Sequence, residues 1–271
     1  MPNVSRRFDF CLAGRRLAQA QTIPELERGW LAVQKDFEAH WGKEGHVLLF
    51  LIHDDYGSIS DNDVADLVGK IEALEARTPI DIILHTHGGY VSPTHMIAGA
   101  PVSRPNTAAF VPFLAKSGGT LIALATQKVH MGKVAALGPV DLQIGGWSAR
   151  EIVKLVKELG DEAAPELKLI ARDAEKALKD ETKKINRLIN RRHKGFLGWR
   201  GSFLAKALTS GDMHHGETIS LKDAKRLHIR VKQNVPKSVY GLISLRLEQL
   251  RRLRELEAQG VLVQLPAAAA E

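Results

Sequence analysis

Between residues 47 and 126 solid apolar runs of strand length alternate with stretches of helical period, and few folds accept that order. Val47–Ile52 is apolar throughout, as a strand covered on both faces must be. Residues 58–76 then place Val64, Leu67, Val68, Ile71 and Leu74 on one helical face. A second buried strand is expected at 80–84, a short helix at 96–100, a third strand at 107–114 and a small-residue helix at 120–126. Short strands follow at Lys128–Met131 and 134–137, and Gly138-Pro139 ends the pattern. Strand, helix, strand, helix, strand is the grammar of a parallel sheet with helical crossovers, so the fold class is α/β.

Outside that stretch the character is helical. Residues 23–41 carry Leu26, Trp30, Leu31, Val33 and Phe37 at helical spacing. After about residue 146 come charged helices at 148–159 and 166–192, a break at 195–199, short helices at 204–208 and 221–227, and a Leu-rich helix at 239–256, with no further strand expected. The expected organisation is a helical segment over 1–44, an α/β core over 45–146, a helical extension with a late histidine loop over 147–260, and a frayed tail over 261–271.

Composition narrows the class further. The 271 residues hold 38 basic and 31 acidic side chains, for a net charge of +7, and the 44% apolar and 25% charged content is that of a globular chain. No window reaches 18 consecutive apolar residues, so no membrane span is expected. No apolar stretch follows the basic N-terminus, which argues against a secretory signal, and the lone Cys11 suits a reducing, cytoplasmic setting.

Two glycine pairs, Gly88-Gly89 and Gly118-Gly119, each directly follow an expected strand. The carboxyl ends of parallel strands are where such sheets bind ligands, and glycine lets backbone N–H groups approach closely. Ser117 immediately precedes the second pair, at a strand-to-helix corner where a hydroxyl meets free helix N-terminal donors. A nucleophilic serine uses that arrangement, and a serine helix cap produces it too. His85 and His87 alternate, with His95 and His130 near in sequence, but no Cys or acidic residue completes a metal-ligand spacing, so no metal is expected. Lys183, Lys184, Arg187, Arg191, Arg192 and Lys194 form a basic run without an acidic residue or interleaved aromatics. It reads as a solvated helix face, and a nucleic-acid partner is not expected.

The segments Asp81-Ile-Ile-Leu-His-Thr-His-Gly-Gly, Phe110-Val-Pro-Phe-Leu-Ala-Lys-Ser-Gly-Gly-Thr-Leu-Ile-Ala-Leu-Ala and Met131-Gly-Lys-Val-Ala-Ala-Leu-Gly-Pro-Val-Asp resemble the serine dehydrogenase proteinase family. Leu169-Ile-Ala-Arg-Asp-Ala-Glu-Lys-Ala and Leu208-Thr-Ser-Gly-Asp-Met-His-His resemble its later segments. That family is similar to Clp proteases and signal peptide peptidase A, on a crotonase-like ββα spiral. The resemblance covers about residues 45–230. It implies a serine peptidase acting through an acyl-enzyme on Ser117, with Gly88, Gly89 and Gly118 forming the oxyanion hole, no cofactor, a peptide or protein substrate, and a homo-oligomer. It departs from the family at His87, where proline is usual, and at Lys116-Ser117-Gly118, where Met-Ser-Ala is usual.

The base stays open between a lysine and a histidine. Lys176 is the first candidate, Lys154, Lys157 and Lys168 are alternatives, and His215 matches the family's late histidine. A lysine base must be buried to be neutral near pH 7. Asp141 either orients a base or caps a turn, and the turn is preferred. Two other functions fit the same fold: a crotonase-like acyl-thioester enzyme, and a non-catalytic scaffold or nucleic-acid-associated protein. No acidic residue stands beside the glycine pairs to abstract a proton, which counts against the thioester chemistry.

Overall fold

The structure, a computed structural model, describes residues 8–43, 45–192, 198–211, 213 and 216–259, with the side chains of α9 described from residue 201. Its residues group into two compact units, one from Met1–Leu48 and Pro236–Glu271, the other Leu49–Val235.

The first unit contains α1 (Phe10–Ala18), α2 (Ile23–Ala39) and the C-terminal helix, α11 (Lys237–Ala258). A capping box starts α2: Thr22 Oγ1 accepts from the Glu25 N–H, and Glu25 Oε2 accepts from the Thr22 N–H at 3.3 Å. The helical period of α2 buries Leu26, Trp30, Val33 and Phe37, and α11 contributes Val239, Leu242, Ile243 and Leu256. The Arg246 guanidinium lies 4.9 Å over the Trp30 ring.

The second unit is built on β1 (Val47–Ile52), which α3 (Asp61–Asp63), a π-turn (Val64–Val68) and α4 (Gly69–Glu72) follow. Next come β2 (Ile80–His85), α5 (Val91–Val102), β3 (Thr107–Val111), β4 (Leu114–Ala115), α6 (Gly118–Ala125), β5 (Lys128–Met131) and β6 (Ala136–Leu137). The chain continues through the β7 (Gln143–Ile144) and β8 (Trp147–Ser148) hairpin, α7 (Ala149–Leu159), the long α8 (Pro165–Arg192) and α9 (Gly198–Thr209). It ends with β9 (Ile219–Ser220), α10 (Leu221–Arg226) and β10 (Val231–Lys232). The main sheet has the order β1-β2-β3-β5-β10, and β2, β3, β5 and β10 pair in parallel. Every residue of β2 and β3 is buried, which explains their lack of a polar face. The α/β class, with its parallel sheet, and the helical C-terminal region are therefore as expected.

Two expectations are corrected. The strand expected over 107–114 is two strands in different sheets, because Pro112 has no N–H to carry the ladder through. Beyond residue 146, where no strand was expected, β8, β9 and β10 each contribute two residues, too few to show a period, and β10 extends the main sheet. Within the second unit α8 packs on α5 and α6 of the core. The expected break at 195–199 and the tail at 261–271 lie wholly or mostly outside the described residues. Among the described residues no helix is long and apolar enough to cross a membrane.

Candidate active site

The second sheet creates the corner that carries Ser117. Its order is β4-β6-β9, with β4 and β6 parallel and β9 antiparallel to β6. The chain leaves β4 through Lys116 and enters α6 at Gly118, and Ser117 bridges them at φ 49°, ψ −118°. A non-glycine residue held there is strained, and strain of this kind concentrates where chemistry needs a side chain presented sharply. Three contacts hold the corner. Gly119 N–H donates to Lys116 O at 2.8 Å, Thr120 Oγ1 lies 2.8 Å from Ala115 O, and the same hydroxyl accepts from Gly138 N–H at 3.0 Å.

Against this corner lies the loop after β2. Gly88 has φ +113°, and a Cβ built there would stand 2.7 Å from Ser117 Cβ. A Cβ on Gly89 would stand 2.2 Å from the Ile59 N, because Gly89 forms a parallel bridge with Ile59. Ile59 N–H donates to Gly88 O at 2.8 Å, and Tyr90 N–H to Ile59 O at 2.9 Å, which fixes the loop on both sides. Both positions require glycine for room. Among the described residues the N–H groups of Gly89 and Gly118 have no acceptor. Gly88 differs: its N–H donates to Thr86 Oγ1 at 3.1 Å. Of the three glycines expected at the oxyanion hole, Gly89 and Gly118 thus keep free amides among the described residues, and the N–H of Gly88 is engaged within its own loop.

Thr86 Oγ1 belongs to a longer chain of hydrogen bonds. It stands 2.9 Å from His53 Nδ1, and His53 Nε2 stands 3.1 Å from Asp63 Oδ1. Asp63 Oδ2 accepts from Ser60 N–H at 2.8 Å. Burial pushes the Asp63 carboxyl up, but the hydrogen bond and charge of His53 together with the Ser60 donors outweigh it, and the group is held below the ordinary carboxylate value. The sequence reading missed this relay. Its signal was the polar His53-Asp54-Asp55 directly after an all-apolar strand, at the carboxyl end where sites form.

Ser117, Gly89 and Gly118 line one cleft of about 350 Å³, together with His87, Thr94, Asp141 and Glu181. Ser117 is half-buried, so its hydroxyl is reachable. Asp141, for which a turn was preferred, is a wall of this cleft, and its Oδ1 accepts from Ser148 Oγ at 2.9 Å. Glu181 forms the opposite charged wall and takes His95 Nε2 on both oxygens, at 2.8 and 2.9 Å. His87 is exposed and pairs with Asp55 at 3.1 Å, whereas His85 is buried edge-on to Phe113. The two alternating histidines therefore do not share an environment. Among the described residues no group of three His, Cys, Asp or Glu could hold a metal ion.

The candidate bases separate. Lys176 stands exposed on α8 and does not line the cleft, because the helical period turns Ala171, Ala174, Glu181 and Ile185 inward and leaves position 176 outside. Lys154 is exposed, Lys157 lines a different cavity, and Lys168 Nζ donates to Asp161 O at 3.1 Å. His215 lies outside the described residues. Its neighbour Gly216 is described: Gly216 O accepts from Lys116 Nζ at 2.9 Å, one residue from Ser117.

Two proteins of the archaeon Methanocaldococcus jannaschii are similar to this chain, both named only as uncharacterized. MJ0137 is 37% identical over 204 residues, 74% of this chain and 70% of that protein. MJ1495 is 33% identical over 200 residues, 73% and 68% respectively. Among solved structures, ClpP1 from Listeria monocytogenes is 18% identical with a TM-score of 0.43, covering 70% of this chain and 92% of its own. Residues 47–261 match the family described as ClpP-like SDH-type serine proteinase, which is most of the chain. The corner that presents Ser117 thus sits within a protein that belongs to the ClpP-like SDH-type serine proteinases.

Proposed function

We propose that this protein hydrolyses peptide bonds through an acyl-enzyme on Ser117. The observation that carries the reading is the strained Ser117 corner packed against Gly88, with the unpartnered amides of Gly89 and Gly118 lining the same cleft. Ser117 Oγ attacks the carbonyl carbon as the general base removes its proton. The oxygen that becomes negative is held by the Gly89 and Gly118 N–H groups. The proton then passes to the leaving amine, the C–N bond breaks, and water attacks the acyl-enzyme by the same route in reverse order.

His215 is the base in this reading, and Asp141 orients it. The support is local: Lys116 Nζ holds Gly216 O, and β6 pairs with β4 on one side and β9 on the other, so the chain just before Ser117 and the chain just after His215 are tied together. Lys176 stands exposed on α8, away from the cleft lining, and is not the base in this reading. The Thr86–His53–Asp63 relay positions the Gly88-Gly89 loop. Among the described residues the cleft is lined by Asp141, Glu181 and His87 and by no lysine or arginine to hold a phosphorylated thioester carrier, which favours a peptide. Assembly into a homo-oligomer belongs to this reading, supported by the exposed apolar side chains of Tyr56, Val134 and Trp147. Cytoplasmic residence belongs to it as well, supported by the free, exposed Cys11 thiol.

A fluorophosphonate probe tests the mechanism. The wild type is expected to label, Ser117→Ala not at all, and His215→Gln roughly a thousandfold more slowly. Labelling that survives Ser117→Ala overturns the proposal, and full-rate labelling of His215→Gln removes His215 from it.

A further inference from the structure

The peptidase reading leaves the basic run at the end of α8 without a use. Two of its arginines border a cleft rather than an open helix face. Arg191 and Arg192 line a second cleft, of about 380 Å³, together with Arg104, Ser103 and Gln127. Apart from the two α8 arginines, its lining belongs to the segments that lead into β3 and β5, at the amino ends of strands whose sheet carries the Gly88-Gly89 loop at the other end of β2.

Three guanidinium groups converge there, and among the described residues no carboxylate lines the cleft. Their hydrogen-bond partners among those residues are neutral oxygens. Arg104 Nη1 donates to Glu75 O at 2.8 Å, and its Nη2 to Ile71 O and Leu74 O at 2.6 and 2.9 Å. Arg192 Nη1 donates to Arg104 O at 2.7 Å and Val102 O at 3.2 Å, and its Nη2 to Thr107 Oγ1 at 3.2 Å. Arg192 Nε is buried without a partner. Burial alone pushes the Arg192 pKa down, with no anionic group to offset it. Arg191 reaches across to the Ser103 hydroxyl, and Gln127 Oε1 accepts from Asn106 N–H at 3.2 Å, which leaves the Gln127 amide nitrogen as a donor. The carbonyls at the ends of α4 and α5 hold Arg104 and Arg192 in place before any ligand arrives, so little ordering cost is left for binding. Fixed, forked, uncompensated guanidinium groups are the arrangement that phosphate oxygens fit in pairs.

We propose that this cleft is a binding site for a small phosphate-class oxyanion, either free phosphate or the phosphate group of a small phosphorylated molecule. The bound anion ties the far end of α5 to the end of α8. The same two helices meet at the Ser117 cleft through His95 and Glu181, so the site braces that wall from behind. The proposal stands independently of the identity of the catalytic base.

Calorimetric titration of the full chain with inorganic phosphate, pyrophosphate and ADP tests it. Saturable binding is expected for at least one, weakened tenfold or more by Arg191→Ala and by Gln127→Ala, and unchanged by Arg187→Ala on the same helix. Tightest binding of phosphate identifies the free ion, and tighter binding of pyrophosphate or ADP identifies a phosphorylated molecule. Arg191 is exposed and Gln127 is a surface residue, so both variants are expected to keep their circular dichroism. No saturable binding of any of the three, or binding indifferent to both substitutions, overturns the proposal. So does retention of RNA with no binding of the small anions.

Discussion

At Gly89 the question of whether a chain can hold an oxyanion becomes one of space. A methyl group there meets the Ile59 backbone at 2.2 to 2.6 Å, and backbone cannot step aside as a flexible side chain would. Gly89→Ala is therefore expected to break the Ile59 bridge and displace the free amide, slowing fluorophosphonate labelling by about 100-fold or more while far-ultraviolet dichroism is retained. Gly99 is the contrast. A methyl group there meets nothing within 4 Å, so Gly99→Ala on α5 should leave labelling intact and stabilise by about 0.5–1 kcal/mol. Equal behaviour of the two variants would refute the assignment. The same scale explains how far the serine could be read in advance: a hydroxyl beside Gly-Gly after an apolar strand is a local pattern. It also explains Lys176, since a matching segment says nothing about which helix face meets the core.

Among the elements, the decisive pairing is between the loops that follow β1 and β2. The relay Asp63–His53–Thr86–Gly88 joins an acidic residue at the start of a helix to the glycine that abuts the serine. With His53 Nε2–H donating to Asp63, Nδ1 accepts the Thr86 hydroxyl proton and Thr86 Oγ1 accepts from Gly88 N–H. Thr86→Val keeps the Cγ2 methyl that packs on Gly119 but deletes every one of these bonds at that residue. Leaving buried polar groups unmatched costs about 1–3 kcal/mol. The acylation rate should fall while substrate KM holds, because the loop loses its fixed position and the cleft walls do not change. An unchanged acylation rate in a folded variant would show that the relay is structural only. In the sequence only the polar His53-Asp54-Asp55 after β1 hinted at it, because the partners are brought together by strand pairing.

For the molecule as a whole, acid is the informative stress. His85 is buried, and that burial, ahead of the His87 charge, pushes its imidazole down to about 4, with Asp55 opposing and His53 adding to the shift. The ordinary imidazole value is about 6.5, so above that pH both folded and unfolded chains hold the group neutral and the stability is complete. As pH falls from there toward 4, the unfolded chain takes up a proton that the folded chain excludes. Stability then drops, by on the order of 3 kcal/mol at most. The urea midpoint should fall between pH 7 and 4.5, and His85→Phe should reduce that fall. An equal fall in the variant would assign the acid sensitivity elsewhere.

The sequence by itself determined the α/β class, the order of its main strands and helices, and the serine corner with its two glycine pairs. Those features are written in periodicity and in residues that are neighbours along the chain. The tertiary structure decided which amides stay free, which lysines face water, where a relay closes on the glycine loop, and that Arg104 shares one cleft with the distant pair Arg191 and Arg192. Each depends on distances between segments joined by strand pairing and helix packing, and a linear pattern does not carry those distances.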